Sequence, residues 1–187
     1  KIKFIKKHTN IPICIDTEGA QIRTKVKKKI KCKIGQAIKL HKENKGNFNL
    51  YPKYIFNILK KGDLLHIGFD DLKAKVAKIK KDEILLKVYS EGLHENNKGV
   101  HLQNRRIKLD YLTEKDFKAI EIAKKYKVKN FALSFTNSSE DIRKFELILK
   151  KENKIYKIET KKSVKDIHKI AKSGKIFLID RGDLSKE

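Results

Sequence analysis

Three times after Leu112 one signal recurs: a hydroxyl residue, an aspartate three positions on, an apolar stripe at helical spacing, and then a short apolar run. Thr113 with Asp116, Ser138 with Asp141, and Ser163 with Asp166 each read as a helix start. There the hydroxyl accepts from an orphan backbone N–H and the acid reaches back to the cap. The stripes are Phe117, Ile120 and Ala123, running to about Lys127; Ile142, Phe145, Ile148 and Leu149; and Ile167, Ile170 and Ala171, closed by Gly174. The runs between them, Phe131 to Phe135, Lys154 to Glu159 and Lys175 to Asp180, are short and bounded by polar residues, as strands buried on both faces are. Strands alternating with helices every 21 to 25 residues or so predict βα units and a parallel sheet. The chain therefore contains a piece of an α/β fold.

A similar buried strand, Ile11 to Asp16, stands apart from the others by about 90 residues of different character, which predicts an insertion. Between roughly Thr24 and Arg106 helical stripes are absent. Alternating runs take their place: Lys31 to Ile34, Leu64 to Ile67, Ala74 to Ile79, Ile84 to Val88 and Val100 to Leu102. Turn residues separate them, as at Lys61-Gly62-Asp63, Lys81-Asp82 and Asn96-Asn97-Lys98-Gly99. A small β domain is expected there, with breaks near Arg23 and Ile107.

Composition excludes several classes. No apolar run approaches the ~18 residues of a membrane helix, and no charged segment leads into an apolar one as a secretory signal does. The two cysteines, Cys14 and Cys32, lack metal-ligand spacing, and the six histidines form no HxxxH or HxH pattern. A soluble protein of a reducing cytoplasm is expected. The net charge of +24 raises nucleic acid as a partner, but 42 of the 47 cations are Lys and 5 are Arg. Arg carries the bidentate fork that reads phosphate and guanine edges, so the excess is read as lysine-rich solvated surface written by an AT-rich genome. Nucleic acid is therefore not the expected partner. The chain begins at Lys1, contains no Met and stops a few residues after an apolar strand, so it is read as a piece.

In parallel α/β folds chemistry gathers where the strands end. Asp16 and Thr17 end the first strand; Ser134 and Thr136 flank the end of the second; Lys157 and Glu159 end the third; Arg181-Gly182-Asp183 follows the fourth. Lys157 and Glu159, two apart on a strand, point to one face. With Asp183 they form either a divalent-metal and phosphoryl-transfer cluster, hard oxygens for Mg²⁺ beside an ammonium for developing negative charge, or an ordinary ion pair at a rim.

The strings around these residues carry a resemblance. "IDTEGAQIRT" (Ile15 to Thr24) is similar to L-D-T-K-G-P-E-I-R-T of pyruvate kinases, and "NNKGVHL" (Asn96 to Leu102) to their S-K-K-G-V-N-L. "LTEKD" (Leu112 to Asp116), "FALSF" (Phe131 to Phe135), "YKIET" (Tyr156 to Thr160) and "DRGDLS" (Asp180 to Ser185) resemble L-S-E-K-D, V-A-L-S-F, I-S-K-I-E-N and A-R-G-D-L-G. The six strings stand in the family's order and span nearly the whole chain.

The resemblance implies an α/β fold, a partial TIM (β/α)8 barrel with an inserted small β-barrel-like lid domain. Residues 1–24 and 107–187 would be the two barrel parts and 25–106 the lid. It implies half of the barrel missing, with Lys1 just before the third barrel strand and Glu187 just after the sixth. It implies transfer of the phosphoryl group of phosphoenolpyruvate to ADP, giving pyruvate and ATP, in glycolysis. Lys157 would be the catalytic lysine, Glu159 and Asp183 would hold Mg²⁺, and Asp16 and Thr17 would hold K⁺. Arg181, Gly182 and Asp183 would shape the substrate site with Arg23, while Asp70 and Lys98 of the lid would face the nucleotide. A lid that closes over the nucleotide would exclude water. The full-length parent is expected to be a homo-oligomer, and these 187 residues alone are expected to be inactive.

Departures point to two other readings. Glu18 stands where the family string has Lys, Ala20 where it has Pro, Thr160 where it has Asn, and Asn137 follows "ALSF" in place of Arg. The D-D-G-L turn becomes Phe69-Asp70-Asp71-Leu72 and loses a glycine. A degenerate, non-catalytic pyruvate-kinase-like protein that binds a phosphorylated ligand is one alternative. A basic polyanion-binding domain is the other, although aromatic residues are not interleaved with the lysines.

Overall fold

The computed structural model describes residues 1–43, 45–68 and 71–185. It divides into two compact units, one formed by Lys1–Ala20 with Leu109–Glu187 and the other by Gln21–Lys108.

The first unit opens with helix α1 (Ile2–His8) and strand β1 (Cys14–Asp16). The chain then builds the whole second unit: β2 (Ile22–Val26), β3 (Ile30–Cys32), β4 (Ala37–His41), β5 (Phe48–Tyr51), α2 (Ile55–Ile58), β6 (Leu64–Ile67), β7 (Lys73–Ile79), β8 (Glu83–Ser90), β9 (Gly92–His94) and β10 (Gly99–Leu102). It returns as α3 (Glu114–Lys125), β11 (Asn130–Leu133), α4 (Ser139–Ile148), β12 (Asn153–Ile158), α5 (Lys161–Lys165), α6 (Ile167–Ala171), β13 (Phe177–Ile179) and α7 (Arg181–Leu184).

The sheet of the first unit has the order β1-β11-β12-β13, with every neighbouring pair parallel. Two of the three expected caps form as read. Thr113 and Asp116 exchange the reciprocal bonds of a capping box, and the Ser138 hydroxyl accepts the Asp141 N–H. The third is displaced. Thr160 is the cap and Ser163 the residue three on, because β12 ends at Ile158 and Thr160 is still extended at φ −133, ψ 152. Asp166 sits inside the turn already begun, its N–H bonded to Lys162 O, and the expected single helix breaks there into α5 and α6.

The apolar stripes meet in part where the pattern places them: Phe117, at the start of the α3 stripe, and Ala171, at the end of the third, are exposed. Ile120 and Ala123 of α3 and Ile142 and Phe145 of α4 pack with Phe131, Leu133, Tyr156 and Ile158 of the central strands. Fully burying each such Ile, Leu or Phe stabilises by about 1.5–3 kcal/mol. The outer strands behave differently from the buried strands expected. β1 covers only three residues, with Cys14 and Asp16 exposed and Ile11, ahead of it, 73% exposed; Leu178 and Ile179 of β13 are also exposed. Both are the outer strands of the four-stranded sheet, and among the described residues no further strand pairs with their outer sides.

The second unit closes as a seven-stranded barrel in the order β10-β2-β5-β4-β8-β7-β6, with β6 pairing back to β10. All its pairings are antiparallel except β4 with β5. Period-two alternation fills it: Ile22, Thr24 and Val26 of β2 are buried in turn, as are Ile38 and Leu40 of β4 and Ile84, Leu86 and Val88 of β8. The strand expected at Lys31 to Ile34 is shorter. Its residues up to Cys32 form a separate two-stranded ribbon with β9, and Ile34 is exposed. Strands β2, β4, β5 and β9 and the one-turn helix α2 are additional to the runs read from sequence. Asp63 and Arg105 form a bidentate pair, Nε to Oδ1 and Nη2 to Oδ2, both 2.7 Å. Burial works against the Asp63 charge, but Arg105 outweighs it and holds the carboxyl below the usual carboxylate range.

His94 of β9 is 1% exposed, its ring 4.2 Å from that of Phe48, and neither ring nitrogen has a hydrogen-bond partner. Burial pushes its pKa down to about 4. A histidine with a depressed folded pKa takes up its proton more readily when unfolded, so stability falls as pH drops from the unfolded value near 6.5 toward 4. Between pH 7 and pH 4.5 this group should cost roughly 2–3 kcal/mol. Urea unfolding at both pH values should show that extra loss in the wild type and not in His94→Leu. Equal pH dependence in the two would show that His94 is not the cause.

Candidate active site

Every side chain of the cluster described next lies in the first unit, at the C-terminal ends of β1, β11, β12 and β13. Parallel pairing aligns those ends, so residues far apart in sequence arrive together.

Lys157 is at the centre. Its ammonium lies 2.9 Å from Glu159 Oε1, 3.2 Å from Asp16 Oδ2 and 3.3 Å from Asp180 Oδ2, and its side chain is 12% exposed. The i, i+2 spacing does what the strand period requires, aiming Lys157 and Glu159 to one face. Burial disfavours the Lys157 charge, but the hydrogen bond and field of Glu159, joined by Asp16, more than offset it and raise the pKa above that of an ordinary lysine. The group is an ammonium throughout the physiological range.

Glu159 is fully buried. Its Oε2 accepts the Phe135 N–H at 2.5 Å, while Oε1 faces the Lys157 ammonium at 2.9 Å. Burial raises its pKa, the nearby Asp180 adds to that, and the Phe135 N–H and Lys157 oppose it. Phe135 presents its amide from the left-handed region at φ 52, where an L residue is uncommon.

Asp16 is tied from the other side by the Ser134 hydroxyl, which donates to Oδ1 at 2.8 Å. Thr17 is buried, and its hydroxyl donates to Ala132 O at 3.0 Å and accepts the Ser134 N–H at 3.1 Å. That hydroxyl joins β1 to the turn after β11. Two residues on, Gly19 adopts φ +64, and a Cβ there would stand 2.3 Å from the Ser134 carbonyl oxygen. Only glycine allows this approach. Asp116 anchors the same loop, 3% exposed and accepting the N–H groups of Glu18 (2.7 Å), Gly19 (3.1 Å) and Thr113 (2.8 Å).

At the fourth strand end Asp180 caps α7, its Oδ1 accepting the Gly182 N–H at 3.1 Å. Burial works against the Asp180 charge, but Lys157 holds its pKa below the usual range. Arg181 and Gly182 are exposed on α7. Ligand atoms of Glu159, Asp180 and Asp183 all lie within 4.8 Å of one another. Carboxylate oxygens so spaced are the hard donors Mg²⁺ takes, and the one Lys157 ammonium is already shared by Glu159, Asp16 and Asp180.

The structure thus brings together Lys157, Glu159, Asp183 and Asp16, with Thr17 beside them. Arg23 and Lys98 belong to the second unit: Arg23 Nη1 donates to Asn97 O at 3.3 Å, and the Lys98 ammonium pairs with Glu95 at 3.2 Å. Asp70 lies outside the described residues. Sequence reasoning missed Asp180, the Phe135 amide and the anchoring role of Asp116. Asp180 was legible as a carboxylate where the resembling string carries Ala. Asp116 was legible only as a cap, and a backbone amide leaves no residue-type signal at all.

The family model described as "Pyruvate kinase, barrel domain" matches residues 1–187. The chain is similar to pyruvate kinase of Methanocaldococcus jannaschii, 31% identical over 194 residues, covering 100% of this chain and 42% of that protein. Pyruvate kinase of Thermotoga maritima is 30% identical over 199 residues, covering 100% of this chain and 43% of its own. For Buchnera aphidicola subsp. Schizaphis graminum the figures are 33% over 199 residues, with 98% and 41% covered. The chain spans about two fifths of the length of these curated relatives.

Proposed function

The chain belongs to the pyruvate kinase family, and from that premise we propose that it supplies the phosphoryl-transfer machinery of a glycolytic, cytoplasmic enzyme that converts phosphoenolpyruvate and ADP to pyruvate and ATP. The observation that carries this reading is the Lys157 ammonium, enclosed by Glu159, Asp16 and Asp180 at aligned strand ends. Among the described residues no helix is long and apolar enough to cross a membrane.

We read the unit of Lys1–Ala20 with Leu109–Glu187, its parallel sheet and helices, as part of a TIM (β/α)8 barrel, and the unit Gln21–Lys108 as its inserted lid, so the expected breaks at 24/25 and 106/107 move outward by a few residues because β2 belongs whole to the lid. In the reaction the bond from phosphorus to the enol oxygen breaks and a bond from phosphorus to a terminal ADP oxygen forms. The departing oxygen keeps the electron pair, and the carbon skeleton takes a proton to become pyruvate. Lys157 offsets the negative charge on the transferring group and on the departing oxygen; as a fixed cation it reorganises little during the step. Glu159 and Asp183 would hold Mg²⁺, which when bound supplies positive charge to the phosphoryl oxygens. The Asp16 carboxylate and Thr17 would hold K⁺. Phe135 orients Glu159 through its amide, and Ser134 orients Asp16. Arg181, Gly182 and Asp183 would line the substrate side, Arg23 would meet the phosphates, and Asp70 and Lys98 would serve the nucleotide. The full-length protein would work as a homo-oligomer.

One observation favours a second reading, a relative that binds a phosphorylated ligand without turnover. Glu18, where the family string has Lys, is engaged with Lys115 at 3.1 Å, so a cation of the string is replaced by an anion already paired. The deciding assay is phosphoenolpyruvate-dependent ATP formation by the full-length protein with Mg²⁺ and K⁺. Turnover supports the kinase; a well-folded protein that binds nucleotide and forms no ATP supports the second reading and overturns the first.

A further inference from the structure

Resting on the reading of Glu159 and Asp183 as holders of a divalent cation, we propose that Asp180 is a third carboxylate ligand of the same ion. The family string A-R-G-D-L-G has Ala at this position and this chain has Asp.

Three observations support the assignment. Asp180 offers a ligand atom within 4.8 Å of those of both Glu159 and Asp183, which is the reach of one ion. Its two oxygens are divided: Oδ1 is spent on the Gly182 N–H, and Oδ2 is turned to the Lys157 ammonium at 3.3 Å, into the cluster. A residue needed only as a helix cap has no reason to send its second oxygen there. Finally, Glu159, fully buried beside it, turns Oε1 to the same ammonium at 2.9 Å, so that one cation serves Glu159, Asp16 and Asp180 together.

Charge leads to the same place. In a chain of net charge +24, Asp16, Glu159 and Asp180 surround Lys157, and Asp183 lies close to Glu159 and Asp180, with the exposed Arg181 as the neighbouring cation on α7. Like charges this close in a partly desolvated site repel strongly, and a divalent cation relieves that repulsion. Exchanging the family's methyl for a carboxylate therefore adds a donor and a negative charge to the cation site. The consequence is a site that fills at lower metal concentration than one built from Glu159 and Asp183 alone.

The test is a titration of the full-length protein with Mn²⁺ alone, followed by the EPR signal of free Mn²⁺, without nucleotide or phosphoenolpyruvate. Asp180→Ala should weaken Mn²⁺ binding by about tenfold or more, because ligand number and charge set affinity at hard-cation sites. Asp180→Asn, which keeps the α7 cap while losing the charge, should also weaken it. Glu159→Gln serves as the reference. If Glu159→Gln weakens binding and neither Asp180 variant does, Asp180 is a cap and this inference is wrong, while the cation reading stands. Weakening in Asp180→Ala with none in Asp180→Asn would equally overturn it, since only the cap would then matter. A wild-type protein that binds no Mn²⁺ overturns both.

Discussion

Lys157→Met in the full-length protein is expected to lower phosphoenolpyruvate-dependent ATP formation by about 10³-fold, the scale seen when a preorganised charge facing the transition state is removed. Methionine keeps an unbranched side chain of similar length, so the substitution deletes charge more than volume. The loss should fall on kcat more than on KM, because the ammonium opposes charge that grows as the phosphorus–oxygen bond breaks. The same substitution leaves Glu159 buried without its cation, which costs on the order of 3–5 kcal/mol when a buried pair is broken. Rates therefore need to be measured where thermal melting shows the variant folded. Lys157→Arg separates the two contributions: it restores a positive charge in the pocket while misplacing it relative to a compact ammonium. Activity of Lys157→Met within tenfold of wild type would remove Lys157 from the chemistry.

Asp116→Ala should be strongly destabilising. One buried carboxylate accepts from the backbone of Glu18, Gly19 and Thr113 and from the Thr113 hydroxyl. Removing it strands several donors at once, each costing about 1–3 kcal/mol when buried, so a total near 3–5 kcal/mol is expected after partial relaxation. Asp116→Asn retains one carbonyl oxygen as acceptor and should lose less. Urea unfolding of the two variants measures both, and a loss below about 1 kcal/mol for Asp116→Ala would mean that the loop finds other partners. The loop also carries Asp16 and Thr17, so a folded Asp116→Asn should show weakened K⁺ dependence before it shows a large change in melting.

Legibility in the sequence followed the range of the interactions. The helix starts at Thr113 and Ser138 were readable because a cap is settled within four residues. The third start was read at Ser163 and lies at Thr160, since where β12 ends depends on its pairing with β11 and β13. Strands β2, β4, β5 and β9 went unread; Ala37 to His41 alternates, but Lys39 between its apolar residues masks a barrel strand that only closure makes half-buried. Of the cluster, Lys157, Glu159, Asp183 and Asp16 were readable from strand ends and spacing. Asp180 was not, its capping role and its reach to Lys157 being visible only once α7 is in place.

What the sequence determined by itself is the alternation of strand and helix, the face shared by Lys157 and Glu159, and the presence of an inserted β unit. Each rests on periods of 2 and 3.6 residues that any stretch of chain carries within itself. What only the tertiary structure decided is which distant carboxylates share one ammonium and which oxygen of Glu159 faces it. Those depend on parallel pairing across gaps of more than a hundred residues between β1 and β11, as Cys14 with Asn130 and Asp16 with Ala132. No local pattern encodes such a register, because the backbone hydrogen bonds that set it are the same for every residue type.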